Sequence, residues 1–142
     1  RLRRAAAGRR GRVRRRRLTP VALLLDTHAL LGWLADELPD GVTRAIQSDA
    51  TVVVSAATIW EIETKRALGK LTAPADVVDR ARESAFALLP ISAEHAVAAG
   101  RLPPHHRDPF DRVLVAQALA EGLTLISREA LLDRYGVARL WV

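Results

Sequence analysis

Two short runs in this chain, Val21–Leu25 and Thr51–Ser55, are made almost wholly of aliphatic and β-branched residues. A strand with one wet face alternates apolar and polar side chains. A run without alternation belongs to a strand buried on both faces, the usual condition of a parallel sheet sandwiched by helices. The segments around these runs carry helical signals. Thr27–Leu34, Asp40–Ser48 and Ala57–Leu68 read as helices, the last ending near Gly69. Pro74 at a first-turn position opens Ala75–Ser84, and Ala87–Leu89 before Pro90 is a weak third strand. Ser92–Ala99 stops at Gly100, and Asp108-Pro109 starts an apolar helix that runs to Glu121 and closes at Gly122. Leu123–Ile126 is a strand, Arg128–Tyr135 a helix closed by Gly136, and Leu140–Val142 a last strand. Alternation of this kind predicts an α/β domain with a parallel sheet covered on both faces.

Composition supports one such domain. A chain of 142 residues can build a core that stands without disulfides. Apolar residues are 49% of it and aromatic ones only 4%, so Ala, Leu and Val fill the core. The absence of cysteine excludes a disulfide framework, a thiolate zinc site and a cysteine nucleophile, and fits a reducing cytoplasm. No stretch approaches the roughly 18–20 apolar residues of a membrane span, so a soluble protein is expected.

The net charge of +6 is unevenly spread. Ten arginines and no acid lie within Arg1–Arg17, leaving 12 basic against 16 acidic residues, a net charge of −4, in the remainder. Residues 1–20 are therefore expected to be a basic extension, and 21–142 the folded domain. The extension lacks any apolar period to bury and reads as disordered in isolation, or as foreign to the natural protein. Methionine is absent, and initiator Met is not normally removed before Arg, whereas a GTG start would place the terminus at Val21. As part of the protein, the extension would be a nonspecific phosphate-binding arm.

In a sheet of this kind ligands bind beyond the carboxyl ends of the strands, where strand order reverses. Asp26 follows the first buried strand directly, and it also suits an N-cap of the next helix. Asp108 before proline is a helix-start signal in its own right, and Asp111 falls at the third helical position, favourable to the dipole. Glu129 sits just after the Leu123–Ile126 strand, with Ser127 as a cap. Glu61 is four residues before Lys65, the spacing of an exposed helical ion pair, and Glu63 competes with it for any functional role. Each acid has an adequate structural account alone. Together, Asp26, Asp111 and Glu129 occupy helix starts facing one sheet edge. Like-charged carboxylates about 4 Å apart cost roughly 4 kcal/mol per pair at an effective dielectric near 20. Such a cluster needs cations, and oxygen-only donors favour Mg²⁺ or Mn²⁺. These ions keep waters that can attack phosphorus, and a second ion stabilises the leaving oxygen.

Val21–Leu34 (VALLLDTHALLGWL), Ser55–Leu71 (SAATIWEIETKRALGKL), His106–Ala118 (HRDPFDRVLVAQA) and Leu123–Glu129 (LTLISRE), in that order, closely resemble the PIN-domain family and its VapC-like toxins. The resemblance spans Val21 to Val142. It implies a three-layer α/β/α domain with a five-stranded parallel sheet, and a Mg²⁺- or Mn²⁺-dependent endoribonuclease that is the toxin of a toxin–antitoxin pair. A cognate antitoxin and a homodimer are implied as partners, with RNA as substrate. Carried over by position, the catalytic and metal-binding acids are Asp26, Glu61 rather than Glu63, Asp111 and Glu129, with Asp108 beside Asp111. The fourth position is usually aspartate, so Glu129 is a departure that bears on the second metal site. In supporting roles, Thr27 and Ser127 either cap helices or hydrogen-bond a water on the ion. Arg112 and Arg128 either contact RNA phosphate or pair with a neighbouring acid. His28, His105 and His106 read as packing or surface residues, and Trp33 and Trp60 as core or partner-interface residues.

Other enzymes on similar sheets fit poorly. A haloacid-dehalogenase-like phosphatase needs a second aspartate where this chain has His28, a receiver domain needs a late lysine and none follows Lys70, and no Gly-rich phosphate loop occurs. The remaining alternative is a catalytically weakened PIN-like binding module acting through an antitoxin or RNA, to which Glu129 gives substance.

Overall fold

The structure, a computed structural model, describes residues 21–48 and 50–142; the expected basic extension over residues 1–20 lies outside them. Five parallel strands form one sheet in the order β3-β2-β1-β4-β5: β1 Ala22–Leu25, β2 Thr51–Ser55, β3 Ala87–Leu89, β4 Thr124–Ile126 and β5 Arg139–Leu140. The helices are α1 Thr27–Ala35, α2 Asp40–Gln47, α3 Ala56–Ala67, α4 Val77–Glu83, α5 Ala93–Arg101 and α6 Pro109–Glu121, followed by a 3-10 helix, Ala130–Tyr135. No helix among the described residues is long and apolar enough to cross a membrane.

The missing alternation in β1 has the expected cause. Leu23 and Leu25 enter one apolar cluster with Leu30, Val42, Ile62 and Phe86, while Leu24 enters another with Leu114, Val115, Leu125 and Leu132. Opposite faces of one strand thus serve two cores, which makes the molecule a three-layer α/β/α sandwich. Burying each of these leucines is worth roughly 1.5–3 kcal/mol.

Several boundaries differ from expectation, among them the last strand, expected over Leu140–Val142 and found at Arg139–Leu140. Helix α5 passes through Gly100 to Arg101 and ends at Leu102, whose extended backbone is what a following proline imposes. Helix α4 starts at Val77 rather than Ala75. The segment expected as a helix over Arg128–Tyr135 is a 3-10 helix of six residues from Ala130, closed by Gly136 at φ 73°. So short a run makes few i→i−4 bonds, and tighter bonds satisfy its ends.

From β1 the chain steps outward through β2 to β3, then crosses to the other side of β1 for β4 and β5. The reversal lies between β1 and β4. It opens a crevice at their carboxyl ends, where Asp26 N–H donates to the Ile126 carbonyl at 3.1 Å.

A candidate carboxylate-lined active site

Above this crevice is a pocket of about 170 Å³ lined by Asp26, Glu61, Asp108, Asp111 and Glu129, together with Thr27, His28, Lys65 and Arg128. The four acids singled out in the sequence therefore share one cavity. A larger groove of about 460 Å³ adjoins it and shares Thr27, His28, Glu61, Lys65 and Arg128.

Each carboxylate arrives there for a local reason. Asp26 ends β1 and caps α1, its Oδ1 accepting the Ala29 N–H at 2.8 Å. Its capping role and its place in the pocket coexist. Glu61 lies on the buried stripe of α3 with Ala57, Thr58 and Ile62, the positions one helical turn and its neighbours bring to one face. Its Oε1 accepts the Thr27 hydroxyl at 2.5 Å and its Oε2 the Lys65 ammonium at 2.5 Å. The expected Glu61–Lys65 pair does form, but around a carboxylate only 5% exposed. Glu63 points the other way and pairs with Arg66 at the surface. Asp108 caps α6 by accepting the Phe110 and Asp111 N–H groups. Glu129, at the exposed rim, caps the 3-10 helix through Leu131 N–H.

The PIN domain family model matches residues 23–138. The chain belongs to the PIN domain family. Its fold is similar to those in solved structures of VapBC2 from Rickettsia felis bound to a promoter DNA fragment (16% identity, 86% of this chain and 100% of that one, TM-score 0.66). It is likewise similar to FitAcB from Neisseria gonorrhoeae (20% identity, 83% and 96%, TM-score 0.61). A third is VapBC-5 of the VapBC toxin-antitoxin family from Mycobacterium tuberculosis (19% identity, 87% and 100%, TM-score 0.56). No curated protein matches the sequence significantly. PIN domains are generally nucleases, hydrolases acting on nucleic acid.

In this PIN domain the supporting residues behave differently from the sequence reading. Thr27 neither caps a helix nor is turned to solvent; its hydroxyl is spent on Glu61. Ser127 accepts the Glu129 N–H at 3.1 Å, a turn two residues long, and the helical cap passes to Glu129 itself. Among the described residues Arg112 pairs with no acid. Its guanidinium donates to the carbonyls of Ala99, Leu102, Pro103 and His106 and to the Tyr135 hydroxyl. It pins the loop before α6 through both terminal nitrogens of its guanidinium. Trp33 is core-like, against Phe86 with its ring N–H on Ser84, whereas Trp60 is 59% exposed and meets Phe110 edge-on.

Sequence reasoning missed His106. Its Nε2 lies 2.8 Å from Asp111 Oδ2, and its backbone N–H is held by Tyr135 Oη at 2.9 Å. A histidine in an irregular loop has no periodicity to mark it. The contact exists because Arg112 and Tyr135 fold that loop back on α6. Lys65, expected only as a surface partner of Glu61, lines the acidic pocket.

Burial is the main reason the Asp26 carboxyl titrates above its ordinary range; the Ser127 hydroxyl and the Ala29 N–H work against this, and the Glu61 charge adds to it. Asp111 is pushed up to about 6, first by burial, then by the charges of Asp108 and Asp26, against the His106 hydrogen bond. These acids feel one another. Oxygen donors packed this way suit a hard divalent cation. Among the described residues, however, no group of three or more His, Asp or Glu stands close enough to hold a metal ion. Both oxygens of Glu61 face side-chain donors, Thr27 on one and Lys65 on the other. The donor chemistry fits a hard divalent metal ion.

Proposed function

We propose that this PIN domain is a Mg²⁺- or Mn²⁺-dependent endoribonuclease and the toxin of a toxin–antitoxin pair. The observation that carries this reading is the shared cavity of Asp26, Glu61, Asp111 and Glu129 at the β1/β4 reversal. Asp26, Glu61 and Asp111 would hold the ion, with Glu129 at the rim. Bound there, a divalent cation supplies neutralising charge and lowers the pKa of its water toward neutrality. The chain itself sets the geometry. The Ala29 N–H fixes one Asp26 oxygen and His106 fixes one Asp111 oxygen. Arg128, exposed at the mouth, is placed to attract a phosphate backbone.

Toxin function and a cognate antitoxin are supported by likeness of fold to chains from VapBC and related complexes. A homodimer, a cytoplasmic setting and the separation of residues 1–20 from the domain belong to the same reading. The exposed position of Glu129 favours one rival, a weakened PIN-like module that binds RNA or an antitoxin without cutting. Both are tested by incubating purified protein with RNA in Mg²⁺ or EDTA, beside Asp26→Asn. The nuclease reading expects cleavage by the wild type in Mg²⁺ alone. Equal cleavage by Asp26→Asn would discard this site, and RNA binding without cleavage by either protein would establish the module.

A further inference from the structure

Lys65 is the one pocket-lining group that opposes the carboxylates from within the helix bearing one of them. Its ammonium is 2.5 Å from Glu61 Oε2, and Glu61 is almost fully buried, so this pair is not an ordinary surface i,i+4 bridge. The neighbouring pair on α3, Arg66 with Glu63, has the same charges but lies outside the pocket, its glutamate side chain 54% exposed. A buried carboxylate needs a counter-charge, and stripping one away is strongly destabilising. Lys65 meets that need on a four-carbon stem that can also swing out to water. The charges of Asp108 and Asp111 act on it as well as that of Glu61. We propose that Lys65 is a resident counter-cation of the active site, which keeps the carboxylate pocket folded without metal and which a divalent ion must displace from Glu61 in order to bind. Two cations then compete for one glutamate, so each weakens the other.

This inference rests on the metal-dependent reading above, and Mn²⁺ binding can separate the two. Free Mn²⁺ is measured by electron paramagnetic resonance in titrations of the wild type, Lys65→Met and Arg66→Met, each checked by circular dichroism and thermal melting. Lys65→Met keeps the stem and loses the charge. It is expected to bind Mn²⁺ about tenfold more tightly than the wild type, a typical size for coupling between two ligands. In EDTA its Tm falls by about 5 °C, and Mn²⁺ raises it by more than it raises the wild type's. Arg66→Met, equal in charge change, binds as the wild type does. Unchanged or weaker Mn²⁺ binding by Lys65→Met, with binding by the wild type intact, overturns the role of Lys65 alone. Binding by none of the proteins overturns the metal-dependent reading and this inference with it. A Lys65→Met or Lys65→Gln protein that folds only with Mn²⁺ present supports the inference; one that Mn²⁺ fails to rescue overturns it.

Discussion

The ends of β1 and β4 lie side by side, and each delivers a carboxylate to the same pocket by capping the helix that follows. Their surroundings differ. Asp26 is 7% exposed and follows a strand that is buried on both faces, so the pocket floor is formed where the core ends. Glu129 caps a short 3-10 helix at the protein's edge and is open to water. Water screens the second and not the first. A divalent cation would therefore gain most at the floor, where Asp26, Glu61 and Asp111 repel one another in a low dielectric, and less at the rim.

The strongest way to break this contrast is to neutralise the two acids in turn. Asn caps helices as well as Asp does, so Asp26→Asn keeps the start of α1. It is expected to lower RNA cleavage by more than about 100-fold, beyond what losing a mere supporting partner costs at a metal site. Its stability in EDTA should hold or rise, because a buried charge has gone. Glu129→Gln is expected to cost about tenfold, at the lower end of that range. Single-turnover cleavage of one RNA by both variants checks the ranking, and equal losses would end the distinction between floor and rim.

Much of this contrast was legible in the sequence, and the reason is geometric. Unalternating runs such as Leu23–Leu25 announce strands buried on both sides, and a residue directly after such a strand has little freedom of placement; Asp26 is the example. Asp108 was legible as a cap because proline at the next position fixes the helix start. Glu61 over Glu63 was chosen by resemblance, although a period argument exists: Ala57, Thr58, Glu61 and Ile62 form one helical stripe and Glu63 lies off it. What stayed hidden depends on loops. The reach of His106 to Asp111 is set by Arg112 gathering four carbonyls, and no local pattern encodes the path of the Pro103–Arg107 segment. Lys65 was hidden differently. Its pairing with Glu61 was plain, but only the tertiary fold shows that the pair faces other acids.

Titration sharpens the same contrast. The Asp111 carboxyl, ordinarily at 3.8, is raised to about 6 in the fold, mainly by burial. The folded protein thus holds this proton more tightly than the unfolded chain. Stability from this group is fully present below the unfolded value and is lost as pH rises through the folded one. In EDTA, wild type minus Asp111→Asn should show stability falling between about pH 4 and pH 6 and flat above. Bound Mg²⁺ favours the carboxylate, so it should remove the fall, and Mg²⁺ affinity should weaken below about pH 6. Urea midpoints across this range, with and without Mg²⁺, provide the check. A difference curve that rises with pH would mean that the His106 hydrogen bond outweighs burial at Asp111.

The smallest expected effect belongs to the acid two residues along from Glu61. Glu63 shares helix, charge and ion-pair type with Glu61, yet its own carboxylate faces solvent beside a half-buried Arg66. An exposed i,i+3 pair contributes at most a few tenths of a kcal/mol, because water already screens both charges and ordering two long side chains costs entropy. Glu63→Gln should therefore change stability by less than about 0.5 kcal/mol and leave Mn²⁺ affinity and RNA cleavage at the wild-type level. The comparison is strict because residue type and helix are the same, and only the face differs. A loss of Mn²⁺ binding in Glu63→Gln comparable to that in Glu61→Gln would mean that total acidity, rather than the pocket that β1, α3 and α6 build, governs the binding of Mn²⁺.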